Sequence, residues 1–164
     1  MSIAEFLSEF EREAATTRRV LERVPADKLT WKPHDKSMSI GKLAIHIAVG
    51  QGYLSTWFRE DVFSFAPSPT PDPASTEEIV AAHDASVVAV RENLSTLTDA
   101  SLAAEWSAKM GDKTLLAMPR GIAIRTLLLS HYYHHRGQLS VYLRLLDVKV
   151  PSIYGPSADE NPFG

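Results

Sequence analysis

The sequence predicts an all-α protein: a four-helix bundle with a long proline-rich crossover between the second and third helices. Four segments repeat apolar residues at the spacing of an amphipathic helix. The stretch APSPTPDP holds four of the ten prolines, which excludes a helix or a central strand there. Such a stretch is extended and stiff, and it is long enough to carry the chain from one end of a bundle to the other.

The first helix is predicted over 2–24. Ser2 and Glu5 match a capping box, in which each side chain binds the backbone N–H of the other residue. Pro25 follows the last apolar residue of the pattern and ends the helix. We expect Trp31 to pin the following connection to the bundle.

The second helix is predicted over 39–60. His46 is a polar group in the middle of its apolar stripe. Gly50 lies one turn beyond, at an interior position where glycine costs about 1 kcal/mol relative to alanine. A small residue at this position allows close approach, either by a ligand of His46 or by a neighbouring helix.

The second half of the chain follows the same scheme. A third helix is predicted over 75–97, with Ser75 and Glu78 as a second capping box. Residues 98–118 are less regular, and their Met-Gly-Asp turn signal fits a short hairpin or an irregular loop. The last helix is predicted over 119–146, interrupted by Gly137, and its arginines are assigned to a charged outer face. A coil tail follows, and the whole chain, 1–164, is expected to be one domain.

A possible metal site is the main chemical feature of the sequence. His131 and His135 lie one turn apart, about 40° from each other on the buried face of the last helix. Burying two imidazoles side by side is costly unless something satisfies both. Together with His46 on the second stripe they favour a three-histidine metal site. Three imidazoles leave coordination positions open, as in catalytic zinc sites, and the same ligands suit nickel, iron or copper.

Other histidines compete with this assignment. His134 pairs with His131 at i, i+3 spacing but lies at the edge of the buried stripe. His83 lies on a buried face of the third helix, whereas His34 is assigned to an ordinary surface loop. A lone histidine on an apolar face is more often a satisfied core residue than a ligand. Around the three favoured histidines we expect Tyr53, Trp57, Tyr142 and Gln138, the last as a hydrogen-bond partner.

Several functional classes are disfavoured. The chain has no cysteine, so disulfides and thiolate ligands are excluded. A net charge of −3 indicates no nucleic-acid partner. No basic leader and no run of about 20 apolar residues is present, which favours a cytoplasmic protein without a membrane partner. No histidine has a glutamate three residues before it, as carboxylate-bridged di-iron bundles require.

The run HYYHHRGQ that starts at His131, continuing LSVYLRLLDVKVPSIYGPSADE, resembles the C-terminal signature of the DinB/YfiT-like family. The stretch SIGKLAIHIA, preceded by Trp31, is similar to the first histidine motif of that family. The resemblance implies an up-down-down-up four-helix bundle and one divalent metal ion, held here by His46, His131 and His135. It also implies a homodimer, and activities that include thiol transfer with low-molecular-weight thiols and thiol-dependent isomerisation.

Two hypotheses follow. The first is a metal-dependent enzyme, a thiol S-transferase or a hydrolase, whose zinc, nickel or other divalent ion activates a low-molecular-weight thiol or water to act on a small-molecule substrate. The second is a non-catalytic bundle that binds a metal or a small ligand and acts through dimerisation. The absence of an evident general base beside the histidines motivates the second hypothesis.

Overall fold

Helices dominate the computed structural model, which describes residues 2–64 and 70–163. The helices are α1 (Ile3–Leu21), α2 (Ile40–Thr56), α3 (Thr76–Leu94), α4 (Asp99–Ala103), α5 (Arg120–Ile124) and α6 (His131–Leu145). Short 3-10 turns follow α1 and α2, at Ala26–Lys28 and Trp57–Arg59. Helix α2 packs most extensively on α3, and α1 and α6 complete the group around a shared apolar core. None of the helices in the described ranges has the length and apolar character needed to cross a membrane.

Serine side chains start the three long helices of the first half. The Ser2 hydroxyl accepts from the Glu5 N–H, and the Glu5 carboxylate accepts from the Ser2 N–H, so the predicted capping box is confirmed. Ser75 caps α3 in the same way, but the Glu78 carboxylate accepts from the N–H of Ala74 instead of Ser75. The second predicted box is therefore only half formed.

The last helical run is continuous from α5 to α6 through a π-helical segment, Arg125–Ser130. A π segment inserts a wide turn, and such turns are frequent at functional sites. This one ends at the residue before His131. The predicted interruption at Gly137 is wrong, because Gly137 lies within α6.

A three-stranded sheet corrects the all-α prediction. Strands β1 (Val62–Ser64), β2 (Glu105–Met110) and β3 (Lys113–Pro119) lie in the order β1-β2-β3. Strands β2 and β3 form an antiparallel hairpin, one of the two alternatives expected for this region, and β1 pairs with β2 in parallel. The turn between β2 and β3 has Gly111 at φ +58°, a conformation that glycine adopts without strain.

Tertiary packing explains why the sheet forms. Trp106 and Ala108 alternate with more exposed neighbours along β2 and are fully buried. The indole N–H of Trp106 donates to the carbonyl of Trp57 at 3.0 Å, which ties the hairpin to the end of α2. The sheet is thus an extension of the helical core.

The proline-rich crossover lies partly outside the described residues, which omit 65–69. On either side of that gap the chain forms β1 and an irregular segment from Thr70 to the start of α3. The strand β1 lies at an edge of the sheet and ends before the proline-rich stretch. The up-down-down-up order of the helices stays a prediction.

The arginines of the last predicted helix (119–146) were assigned to an outer face, and this assignment is wrong for Arg136. Its side chain is 1% exposed and pairs with Glu13 of α1 at 2.7 Å. It also donates to the Tyr154 hydroxyl at 2.5 Å, and Tyr154 belongs to the C-terminal coil. Ion pairing satisfies this buried charge, and periodicity does not reveal it.

Candidate metal centre

Three histidines from two helices converge at one place. His46 comes from the middle of α2, and His131 and His135 come from the first two turns of α6. Nε2 of His46 lies 3.1 Å from Nε2 of His131. One nitrogen from each ring lies within 4.8 Å of the others. The structure therefore brings together the three histidines that the sequence selected.

All three imidazoles are half-buried, and burial lowers the pKa of each below its usual value. For His131, burial and the neighbouring charges of His135 and His46 lower the pKa to about 4. Desolvation disfavours the charged form, so these rings are neutral near pH 7. A neutral imidazole keeps one nitrogen lone pair, which is the form that binds a metal ion.

The ring of His135 has a fixed partner. Its Nδ1 lies 2.6 Å from Oε1 of Gln138, one turn along α6. When Nδ1–H donates to this amide oxygen, Nε2 carries the lone pair. Gln138 thus acts as the hydrogen-bond partner expected for this face of the helix, an arrangement typical of histidine metal ligands.

The donor set and its spacing fit a divalent ion. Zn–N bonds of about 2.0–2.1 Å place two nitrogens of a tetrahedral site roughly 3.3 Å apart, close to the 3.1 Å between His46 and His131. Within 2–64 and 70–163, no aspartate or glutamate joins the cluster. Three protein ligands leave coordination positions open, as in catalytic rather than structural sites.

The competing histidines lie elsewhere. His134 is exposed beside His135, with ring centroids 4.8 Å apart, and is not part of the cluster. His83 is 2% exposed, and its Nε2 lies 2.7 Å from the hydroxyl of Tyr132. It is a satisfied core histidine. His34 is exposed in a loop, as expected.

A pocket of about 500 Å³ opens directly beside His46 and His131. Its other described walls are Val49, Gly50, Tyr53, Leu54, Trp57, Thr70 and Pro71. Tyr53 and Trp57 are placed as predicted, whereas Tyr142 packs edge-on against Trp31 at 5.8 Å. That contact anchors the connection before α2, as expected for Trp31. The wall at 70–71 was missed, because helix periodicity carries no information about where an extended segment returns.

A larger cavity, about 620 Å³, lies between α4 and α5. Its charged groups already have partners: the Asp99 carboxylate accepts from the N–H of Ile3 at 3.0 Å, and Arg125 pairs with Glu9 at 2.6 Å. No histidine lines it in the described part of the chain. The histidine pocket is therefore the better candidate for chemistry.

Comparison with known proteins gives consistent matches over nearly the whole chain. Residues 1–161 match the model of the DinB family. The chain is 30% identical to the uncharacterized protein YrdA of Bacillus subtilis (strain 168), covering 94% of this chain and 89% of YrdA.

Two solved structures are similar. A DinB-like protein from Bacillus cereus ATCC 10987 has a TM-score of 0.74 and 26% identity, covering 93% of this chain and 98% of that one. The DinB-like protein YjoA from Bacillus subtilis has a TM-score of 0.69 and 21% identity, covering 91% and 97%. At that lower identity, the second likeness bears on the fold alone.

Proposed function

This chain belongs to the DinB family, and from that premise we propose that it is a metal-dependent enzyme with His46, His131 and His135 as ligands of one divalent ion. The observation that carries the proposal is the convergence of one nitrogen from each histidine within 4.8 Å. The position of His46 and His131 at one wall of a pocket supports a catalytic rather than a purely structural role.

The chain's own residues have distinct roles in this proposal. Burial keeps the three imidazoles neutral, so little free energy is spent on removing protons before they bind the ion. Gln138 holds His135 in one tautomer. The pocket walls at Tyr53 and Trp57 orient a substrate and exclude water.

The reaction class proposed is transfer to or from a low-molecular-weight thiol, or hydrolysis. A bound divalent ion supplies Lewis acidity, which lowers the pKa of a thiol or a water molecule toward neutrality. Zinc and nickel are the favoured ions because imidazole nitrogen suits both, and iron fits the same donors.

Metal analysis of protein purified without a histidine tag tests the proposal. We expect one divalent ion per chain, lost in His46→Ala while the protein stays folded. His134→Ala is the matched control, because it removes an exposed histidine beside the cluster. A protein that takes up no zinc or nickel on reconstitution, or that shows no thiol- or water-dependent turnover when loaded, would contradict the proposal.

A non-catalytic metal-binding protein is the second candidate. The observation in its favour is that no carboxylate able to act as a general base joins the histidines among the described residues. In that case metal removal would lower thermal stability strongly, and the loaded protein would be inactive with every thiol tested. His46→Ala would then unfold instead of merely losing metal.

A further inference from the structure

The pocket beside His46 has a rigid aromatic wall. Trp57 is only 7% exposed and stacks on Phe63 of β1, with ring centroids 4.2 Å apart and 14° between the planes. Tyr53 meets Trp57 edge-on at 5.6 Å. The carbonyl of Trp57 is fixed by the Trp106 indole. Because both neighbours and the backbone hold Trp57 in place, this wall is preformed before any ligand arrives.

Gly50 leaves space on the face of α2 that also carries His46. Among the described residues, a Cβ added at this position would meet no heavy atom within 4 Å. Close helix packing therefore does not require glycine here, although glycine in a helix interior costs about 1 kcal/mol relative to alanine. Gly50 lines the pocket one turn beyond His46, so the open space lies where a ligand would approach that histidine.

The walls carry no charge of their own. Across the described ranges, the pocket is lined by the two histidines and by uncharged side chains. The cation that acts on His46 is Lys42, one turn earlier on α2. Its ammonium donates to the carbonyl of Thr70 and lies 3.4 Å from Asp72, so it fixes the 70–71 wall. Among the described residues, the Tyr53–Trp57 end of the pocket has no charged side chain. A carboxylate or phosphate held there, away from an ion at the histidines, would be costly to bury.

We propose that this pocket binds an uncharged small-molecule substrate through an aromatic or branched aliphatic group, held between the Tyr53–Trp57 wall and the space at Gly50. A volume of about 500 Å³ suits a ligand of that kind. The inference rests on the proposed function, because the histidines at one end of the pocket present the reacting groups to the bound molecule.

Two thiols that differ only beyond the sulfur-bearing carbons test it. Benzyl mercaptan is the apolar probe and 4-(mercaptomethyl)benzoate the charged one, because its para carboxylate cannot reach a zinc ion that its sulfur binds. Each is titrated calorimetrically into protein reconstituted with zinc. Benzyl mercaptan is expected to bind about tenfold tighter or better, because the apolar wall disfavours the carboxylate. Equal affinities, or tighter binding of 4-(mercaptomethyl)benzoate, would overturn the inference.

Variants at Gly50 locate the binding. Gly50→Leu fills the open space and is expected to weaken benzyl mercaptan binding about tenfold or more, with the zinc content unchanged. Gly137→Leu is the matched control, since a Cβ there also meets open space but lies outside the pocket. If Gly50→Leu does not fold, the smaller Gly50→Ala is used, with an expected loss of about threefold. Unchanged binding in the folded Gly50 variant would refute the inference.

The zinc content separates the two levels of failure. If the wild-type protein holds no zinc, the proposed function fails. The pocket is then tested on metal-free protein with benzyl alcohol and propionate, and a lack of preference for benzyl alcohol overturns the inference as well. If zinc is bound but the protein does not prefer benzyl mercaptan to the charged thiol, only the inference fails.

Discussion

His135 depends on one neighbour for its orientation. The Gln138 amide oxygen lies 2.6 Å from its Nδ1 and is the polar partner that the structure gives this ring on its own helix. A hydrogen bond of this kind fixes the tautomer and raises the basicity of the other ring nitrogen. The same contact also raises the pKa of His135, although burial lowers it more. We therefore expect Gln138 to be a positioning residue for the proposed metal centre.

Gln138→Leu tests this role, because it keeps the size of the side chain and removes the acceptor. We expect zinc affinity to fall about tenfold or more, as for other second partners of histidine ligands. Competition with a chromophoric chelator measures it. Ser140→Ala is the control, since the Ser140 hydroxyl donates to the carbonyl of Gly137 on the same helix and not to a histidine of the cluster. Equal zinc affinity in wild type and Gln138→Leu would remove Gln138 from the site.

His83 makes folding sensitive to pH independently of the metal ligands. Burial lowers its pKa below the usual value, which it regains in the unfolded chain. Below about pH 6.5 the unfolded state therefore binds more protons than the folded state, and stability falls as pH falls. The contribution is fully present above that pH.

Urea unfolding of metal-free protein at pH 7.5 and 5.5 measures this effect. His83→Gln is expected to lose less stability between the two pH values than wild type, by up to about 1.4 kcal/mol per pH unit. His34→Gln, at an exposed loop position, is the matched control. An unchanged pH dependence in His83→Gln would show that His83 does not couple protonation to folding.

At the scale of elements, local sequence signals predict where the helices begin, whereas the pairing of distant strands is not predicted from the sequence. The caps at Ser2, Ser39 and Ser75 are local, and each begins a helix as the sequence indicated. The wheel that selected His46, His131 and His135 uses only the helical period, which the structure keeps on the relevant faces. By contrast, β1 exists because it pairs with β2, 45 residues further along the chain in the register of Phe63 with Ala108. The π segment likewise has no local sequence signal that we can identify.

The glycines inside helices fall into two groups: some face open space, and one packs tightly against another helix. Gly50 and Gly137 each leave space that is open among the described residues where a Cβ would be, so packing against those residues does not require glycine at either position. Gly52 does, because a Cβ there would lie 2.9 Å from Oγ and 3.1 Å from Cα of Ser86 on α3. The Gly52 N–H also donates to the Ser86 hydroxyl at 2.6 Å. At Gly52, α2 and α3 are therefore in direct contact and leave no room for a side chain.

Alanine substitutions at these glycines should therefore change the stability of the protein in opposite directions. Gly50→Ala and Gly137→Ala are each expected to stabilise the protein by about 0.5–1 kcal/mol, because alanine loses less backbone entropy in a helix. Gly52→Ala is expected to destabilise it by about 1–3 kcal/mol through overpacking. Thermal denaturation of the metal-free variants measures all three. A stabilising Gly52→Ala would mean that α2 and α3 separate at little cost.

At the scale of the whole molecule, Arg136 joins the ends of the chain. Its guanidinium pairs with Glu13 and donates to the Thr17 hydroxyl at 3.1 Å, both on α1. Tyr154 of the tail donates to the same Glu13 carboxylate at 2.9 Å, and its ring lies 5.0 Å from the guanidinium carbon of Arg136. The N-terminal helix, the histidine-bearing helix α6 and the C-terminal coil therefore share one buried charge. Sequence periodicity placed Arg136 away from the histidine face but could not show that α1 and the tail bury it.

Glu13→Gln is the sharpest test of this link, because it keeps the shape of the side chain and leaves the Arg136 guanidinium, 1% exposed, without its counter-charge. An uncompensated buried charge costs about 3–5 kcal/mol, which urea unfolding of the metal-free protein resolves easily. Glu11→Gln is the matched control on the same helix. It removes an exposed pair with Arg91 and is expected to cost about 1 kcal/mol or less. Similar small losses in both variants would mean that Arg136 reaches water when Glu13 is neutralised, and that the tail is not held to the helices through this charge.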